Sequence, residues 1–347
     1  MRRQTRGHST PVCSCCGCVV GILSSVAGAP YQAVQMVTGW GDEAGSSSSA
    51  VRDFGAVDEA NIAHCPEMED VHLCIDGFCE SDTQALFAVF DGCGGAECAR
   101  FAAESLHETL AEELITLDSE AEGSTGGGGG GGGRGAAAGG RGQLPPPQQG
   151  QGCVDGEAVK EAMARSFATT DSVLERNGLG AMPESGTTAL VCLLRREAGR
   201  PVLYTANAGD CRAVLSQSGE AFQLSQDHRA SDASEAARVE ASGGVIFDNC
   251  VMGVLPISRS LGHAPLKALI VGAPSFSRTL LDLSTDDALV LATDGVWDHI
   301  DNDEAIQLVR SVLQTRGGTA QDAAARLADE CVSRGSKDNI SVVVVAF

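Results

Sequence analysis

The sequence predicts an α+β protein in which antiparallel sheets are covered by helices. Short β-forming runs follow one another as meanders after Gly180, and helical periodicity is grouped before and after them. The chain also closes on an apolar run, Ile340 to Phe347, that reads as a central strand. With 347 residues and 43% hydrophobic content it can build one large or two ordinary domains. Aromatic residues make up only 4%, so the core rests on Val, Leu, Ile and Ala.

Residues 1–53 read as a tail, disordered or targeting. A basic start (Arg2, Arg3, Arg6) precedes the cluster Cys13-Ser14-Cys15-Cys16-Gly17-Cys18, the apolar stretch Val19 to Ala29 and a serine linker. Those cysteines could accept palmitate or a soft metal, whereas Arg2 after Met1 is incompatible with N-myristoylation. A domain over residues 54–347 follows. Val71 to Phe78 and Gln84 to Phe90 read as strands joined by the polar turn Glu80 to Thr83, and a helix from Ala96 ends near Asp118. An insertion rich in Gly, Pro and Gln, at about 119–154, cannot bury apolar surface and reads as flexible. It joins the first helix to a second, Asp155 to Arg176, whose Val159, Ala162, Met163, Phe167 and Val173 share a face.

Ser185 to Leu194 then reads as one buried strand, followed by strands Val202 to Ala208, Cys211 to Ser216 and Ala221 to Leu224. Asp232 to Ala241 is a helix, and Val245 to Phe247 and Val251 to Gly253 are short strands. Asp287 to Thr293 is a strand, Asn302 to Gln314 and Ala320 to Arg334 are helices, and the final strand ends the chain.

A net charge of −22 argues against nucleic acid or an anionic membrane as main partner. No apolar run is long enough for a membrane span. Most of the 14 cysteines lie singly in apolar segments, which suits reduced thiols and a cytoplasmic or nuclear setting, with organelle targeting or lipid anchoring left to the tail.

The chemistry lies in acids at strand ends: Phe90-Asp91-Gly92, Ala208-Gly209-Asp210, Thr293-Asp294-Gly295, Lys337-Asp338-Asn339, and Glu69-Asp70 before a strand. Each alone reads as a turn or cap. Five together would repel unless cations bound there, and all-oxygen ligands with glycines for close approach suit Mg²⁺ or Mn²⁺. Two such ions sharing a carboxylate can activate water and clamp a phosphoryl group.

These segments, with Met68-Glu69-Asp70-Val71-His72, Ser185-Gly186-Thr187-Thr188-Ala189, Ala206-Asn207-Ala208-Gly209-Asp210, Asp227-His228-Arg229, Ser258-Arg259-Ser260-Leu261-Gly262, Asp294-Gly295-Val296-Trp297-Asp298 and Gly335-Ser336-Lys337-Asp338-Asn339, are similar in order and spacing to the metal-dependent Ser/Thr protein phosphatases of the 2C type. The resemblance implies a four-layer αββα sandwich of two antiparallel sheets flanked by helices, and a monomer acting on a phosphorylated protein. It implies that Asp91 bridges two ions and the Gly92 carbonyl binds one. Asp294 and Asp338 would complete the other site, Glu69 and Asp70 would hold waters around the ions, and Asp210 would contribute to a weaker third ion. Asp298 would stand further out.

Four family positions are substituted. Cys93 stands where the pattern has the His that protonates the leaving oxygen, and a thiol, with a pKa of roughly 8.5, replaces imidazolium poorly. Cys65, beside His64, stands where an Arg grips phosphate. Cys250 replaces a common Arg, and His263 a usual Asp; His263 could be a ligand or a surface or satisfied histidine. Cys65 and Cys93 read as inert packing residues or as a redox pair. Two functional readings follow: a slow phosphatase acting on phosphoserine and phosphothreonine, or a catalytically impaired binding or scaffold module.

Overall fold

The computed structural model describes residues 50–124, 156–178 and 185–347. The expectations for the cysteine-rich tail before Ala50 and for most of the Gly/Pro/Gln-rich insertion lie outside the described residues. In chain order the first elements are β1 (Asp53–Glu59), β2 (Val71–Asp76), β3 (Ala85–Phe90), β4 (Gly92–Cys93), α1 (Glu97–Ser124) and α2 (Gly156–Asn177). There follow β5 (Gly186–Thr187), β6 (Ala189–Glu197), β7 (Arg200–Ala208), β8 (Arg212–Gln217), β9 (Glu220–Gln223), α3 (Ala233–Ala241), β10 (Ile246–Phe247), β11 (Cys250–Val251) and β12 (Leu261–Gly262). The chain closes with β13 (Ser275–Leu280), β14 (Asp286–Ala292), the single turn α4 (Asp294–Trp297), α5 (Asn302–Leu313), α6 (Ala320–Ser333) and β15 (Ile340–Ala346).

Two five-stranded sheets carry the fold, ordered β13-β7-β6-β3-β2 and β1-β15-β14-β8-β9, with every pairing antiparallel. Their central strands are apolar on both faces because both faces are covered. In β3, Leu86, Ala88 and Phe90 pack under α1 and α2, while Ala85, Phe87 and Val89 point into the space between the sheets. In β15, Val342 and Val344 pack under α5 and α6, while Val343 and Val345 meet the other sheet. Three apolar layers thus separate four structural ones, the αββα sandwich that the resemblance implies.

Several boundaries differ from the sequence reading. Structured chain begins before Phe54: Val51 is buried, the Arg52 N–H donates to the Ala346 carbonyl, and β1 pairs along the whole of β15. Its alternation is too weak to announce a strand. The first helix passes Asp118 and runs to Ser124, because Ser119 to Glu122 includes good helix formers and no glycine precedes Gly123. The strand at Val71 stops at Asp76, where Gly77 takes a left-handed φ of 76°. Ser185 to Leu194 is two strands, not one: β5 pairs with β4 and β12 in a small separate sheet, and β6 joins the main sheet. Edge strand β13, with its alternating half-buried and exposed residues, carries too little apolar signal to be read from sequence.

Candidate active site

The acids converge because short loops at the same end of the two sheets carry them. Asp91 follows β3, and its N–H donates to Thr188 Oγ1 at 3.0 Å while its carbonyl accepts from the Thr188 N–H at 2.9 Å. The break between β5 and β6 therefore holds Asp91. Gly92 is required by contact: a Cβ there would lie 2.5 Å from the Glu69 carbonyl oxygen. Asp210 follows β7 through Gly209, whose φ of 131° suits glycine. Asn207 folds that loop by donating from Nδ2 to the carbonyls of Gly209, Cys211 and Gln226.

Asp294 begins α4, directly after β14. The preceding Thr293 donates from Oγ1 to Asp70 Oδ2 at 2.9 Å and accepts the Ser341 N–H at 3.1 Å, joining three loops. A second clamp is Asn339, whose Oδ1 accepts the Glu69 N–H and whose Nδ2 donates to the Ala60 carbonyl, both at 2.8 Å. Asn61 donates from Nδ2 to the carbonyls of Ser336 and Asp338. These two amides hold Glu69 and Asp338 in one neighbourhood.

Asp91, Asp210 and Asp294 each bring a carboxylate oxygen within 4.8 Å of the others. Their carboxyls are pushed well above or above the usual range, by burial first and then by one another. Asp91 feels Asp70, Asp294, Asp210 and Asp338, and Asp294 feels Asp210, Asp338 and Asp298. Asp210 is raised by burial while Arg229 pulls it back, and Asp70 is raised by burial, Asp58 and Asp338 despite the Thr293 hydrogen bond. Asp210 is buried and Asp91 and Asp294 are half-buried, and like charges so placed are unstable unless protons or cations share the site. An oxygen-only donor set fits a hard divalent cation.

A cleft of about 240 Å³ opens over this centre, lined by Cys65, Asp294, Gly295, Asp298, His299, Lys337 and Asp338. Cys65 Sγ lies 3.2 Å from the Lys337 carbonyl and 3.8 Å from Asp338 Oδ1. Burial and Asp338 push its thiol up. Cys93, on β4 opposite Gly186, is exposed, and desolvation, Glu69 and Asp338 push its thiol up too. Cys65 and Cys93 thus border the acids and are held as neutral thiols. Cys65, Cys93 and Cys250 form no disulfide.

The other two substituted positions are elsewhere. Cys250 lies on the β10–β11 hairpin opposite Phe247, in a separate two-stranded sheet. His263 is not at the surface. Fully buried, it accepts or donates through Nδ1 to Ser260 Oγ at 2.7 Å, and packs where a Gly186 side chain would be. Burial and Lys267 push it down to about 4, and it is not part of the acidic group. The sequence reading missed Asn61 and the Asp58–His72 pair at 2.8 Å, which stands behind Asp70. An isolated Asn in an unassigned loop gives no signal, whereas Asp58 was hidden with its undetected strand.

Residues 60–340 match the family model described as protein phosphatase 2C. The chain is 31% identical over 304 residues to protein phosphatase 2C homolog 1 of Saccharomyces cerevisiae, covering 84% of this chain and 92% of that one. It is 30% identical to the protein of the same name from Schizosaccharomyces pombe, covering 84% and 72%. Among solved structures, a phosphatase from Toxoplasma gondii superposes with a TM-score of 0.64 at 21% identity, covering 86% of this chain and 94% of that chain. A Caenorhabditis elegans sex determining protein superposes at 0.65 and 22%, covering 85% and 64%. These two share the sandwich. The chain belongs to the protein phosphatase 2C family, the metal-dependent protein serine/threonine phosphatases.

Proposed function

We propose that the chain hydrolyses phosphoserine and phosphothreonine in proteins with two Mg²⁺ or Mn²⁺ ions, at a reduced rate. The observation that carries this reading is the convergence of Asp91, Asp210 and Asp294 within 4.8 Å. Asp91, the Gly92 carbonyl, Asp294 and Asp338 would hold the ions, with Glu69 and Asp70 beside them. Bound there, the ions would supply charge for the phosphoryl oxygens and acidify a water for in-line attack.

The chain's own residues explain the reduced rate. Cys93 stands at the family position from which a leaving seryl or threonyl oxygen would take its proton, and its raised thiol keeps its proton more tightly than an imidazolium would. Solvent is then the proton donor. Cys65 offers phosphate no charge, and its S–H is turned to the Lys337 carbonyl. Lys337 lines the same cleft, forms no ion pair among the described residues, and would offer a cation to an incoming phosphate. An aryl phosphate, whose leaving group needs no proton, should suffer least.

Purified protein with Mn²⁺ is expected to hydrolyse an aryl phosphate, a phosphothreonine peptide much more slowly, and neither once Asp294→Ala is made. Cys93→His with Cys65→Arg should raise the peptide rate by about 10²–10⁴-fold and the aryl rate far less. A folded protein without Mn²⁺-dependent turnover of either substrate would instead support the binding or scaffold module, which the two lost side chains favour.

A further inference from the structure

We propose that Arg229 is a built-in counter-cation of the acidic centre, filling the side formed by Asp210, Asp294 and Asp298 and excluding a divalent ion from it. The inference rests on the ion-binding reading above and concerns how many ions this chain takes.

The geometry is specific. Arg229 Nε lies 3.2 Å from Asp210 Oδ2, and Nη2 lies 2.7 Å from Asp298 Oδ1 and 3.8 Å from Asp294 Oδ2. One planar guanidinium thus spans three carboxylates, of which Asp210 is 3% exposed. Its backbone is fixed on both sides. The neighbouring His228 is buried, with its N–H donating to the Gly209 carbonyl at 2.9 Å, and Arg229 itself bridges to Ile257. The arginine is therefore tied to the same turn that carries Asp210.

The charge balance is lopsided. Among the described residues no Lys or Arg forms an ion pair with Asp70, Asp91 or Asp338, whereas Asp210, Asp294 and Asp298 all face Arg229. The side of the centre at Asp70, Asp91 and Asp338 is left for ions and the side at Asp210 and Asp298 is neutralised from within, with Asp294, 3.8 Å from the guanidinium, between the two. A divalent ion bound among Asp210, Asp294 and Asp298 would have to displace the guanidinium from its hydrogen bond and ion pairs, or sit beside it against charge repulsion. The weaker third ion expected through Asp210 is replaced by a side chain.

The test is an ion count by Mn²⁺ titration, following the spin-resonance signal of free Mn²⁺. Arg229→Gln is expected to bind one Mn²⁺ more per chain than the unsubstituted protein, and Arg229→Gln with Asp298→Asn to lose it again. Asp298→Asn alone is expected to leave the count unchanged, because an arginine and not an ion uses that carboxylate. Equal counts for Arg229→Gln and the unsubstituted protein, or an ion lost on Asp298→Asn alone, would overturn the proposal. A count of zero in the unsubstituted protein would instead overturn the two-ion reading, while a gained ion in Arg229→Gln would still support the counter-cation. Should Arg229→Gln fold poorly, the Asp298→Asn count decides.

Discussion

Gly295 shows how little room single residues leave at this centre. A Cβ on it would lie 2.1 Å from the Asn339 carbonyl oxygen, so Gly295→Ala must push away the loop that carries Asp338. That carbonyl is backbone and cannot swing aside. The expected result is a loss of about 1–3 kcal/mol in urea unfolding together with weaker Mn²⁺ binding, as overpacking shifts Asp338 from Asp294. A variant that kept both properties would show the loop to be softer than its contacts imply. Thr293 and Asn339 act in the same way through hydrogen bonds. Each satisfies groups on two other loops, so the acids are held by neutral neighbours before any ion arrives.

Helix α3 and the segment after β11 illustrate the element scale. Glu235 is 4% exposed and meets Arg259 and Arg238 while accepting from Ser258 Oγ at 2.8 Å. Burial alone would raise its carboxyl, but hydrogen bonds from Arg259 and Ser258 win and hold it at about 2. A depressed carboxyl stabilises the fold above its unfolded pKa near 4.5, and that stability is lost as pH falls through about 2. Glu235→Ala strands two half-buried arginines, so about 3 kcal/mol should be lost at pH 7, readable by denaturant unfolding. By contrast α6 depends on its cap. Thr319 and Asp322 form a reciprocal capping box, and Thr319→Ala should cost about 1 kcal/mol without touching ion binding.

Two opposing pH effects meet in the whole molecule. His263 and His228 are buried and pushed down to about 4, His263 by burial and Lys267, His228 by burial and Arg259. Each contributes stability that is full above pH 6.5 and is lost as pH falls towards about 4, roughly 3 kcal/mol for such a histidine. His263→Asn, an amide tolerated at its φ of 52°, should flatten the stability curve between those limits. The acidic centre works the other way, since its raised carboxyls destabilise the ion-free fold at neutral pH. Mn²⁺ at a hundred times its dissociation constant should add about 2.7 kcal/mol. Asp91→Asn should raise the melting temperature in chelator while removing the gain from Mn²⁺. A lower melting temperature in chelator would show that the acids do not repel as argued.

Most of the architecture was legible at this scale because doubly covered strands leave long apolar runs, and because helices and strands have different periods. The strands of the two large sheets that escaped were β1, whose burial is partial, and β13, half exposed at a sheet edge, and the two-residue β4 and β12 are too short to leave a pattern. The acids were legible from composition: each follows or precedes an apolar strand and is flanked by small residues. Sequence by itself determined the family and put forward the carboxylates and the four departures from its pattern, since all of these are matters of residue type and order. Only the tertiary structure decided that Cys65 and Cys93 border the acids while Cys250 and His263 do not, and that Arg229 reaches across three carboxylates. The reason is physical: a side chain's neighbours across the fold are set by how the loops pack, and spacing along the chain carries no record of that packing.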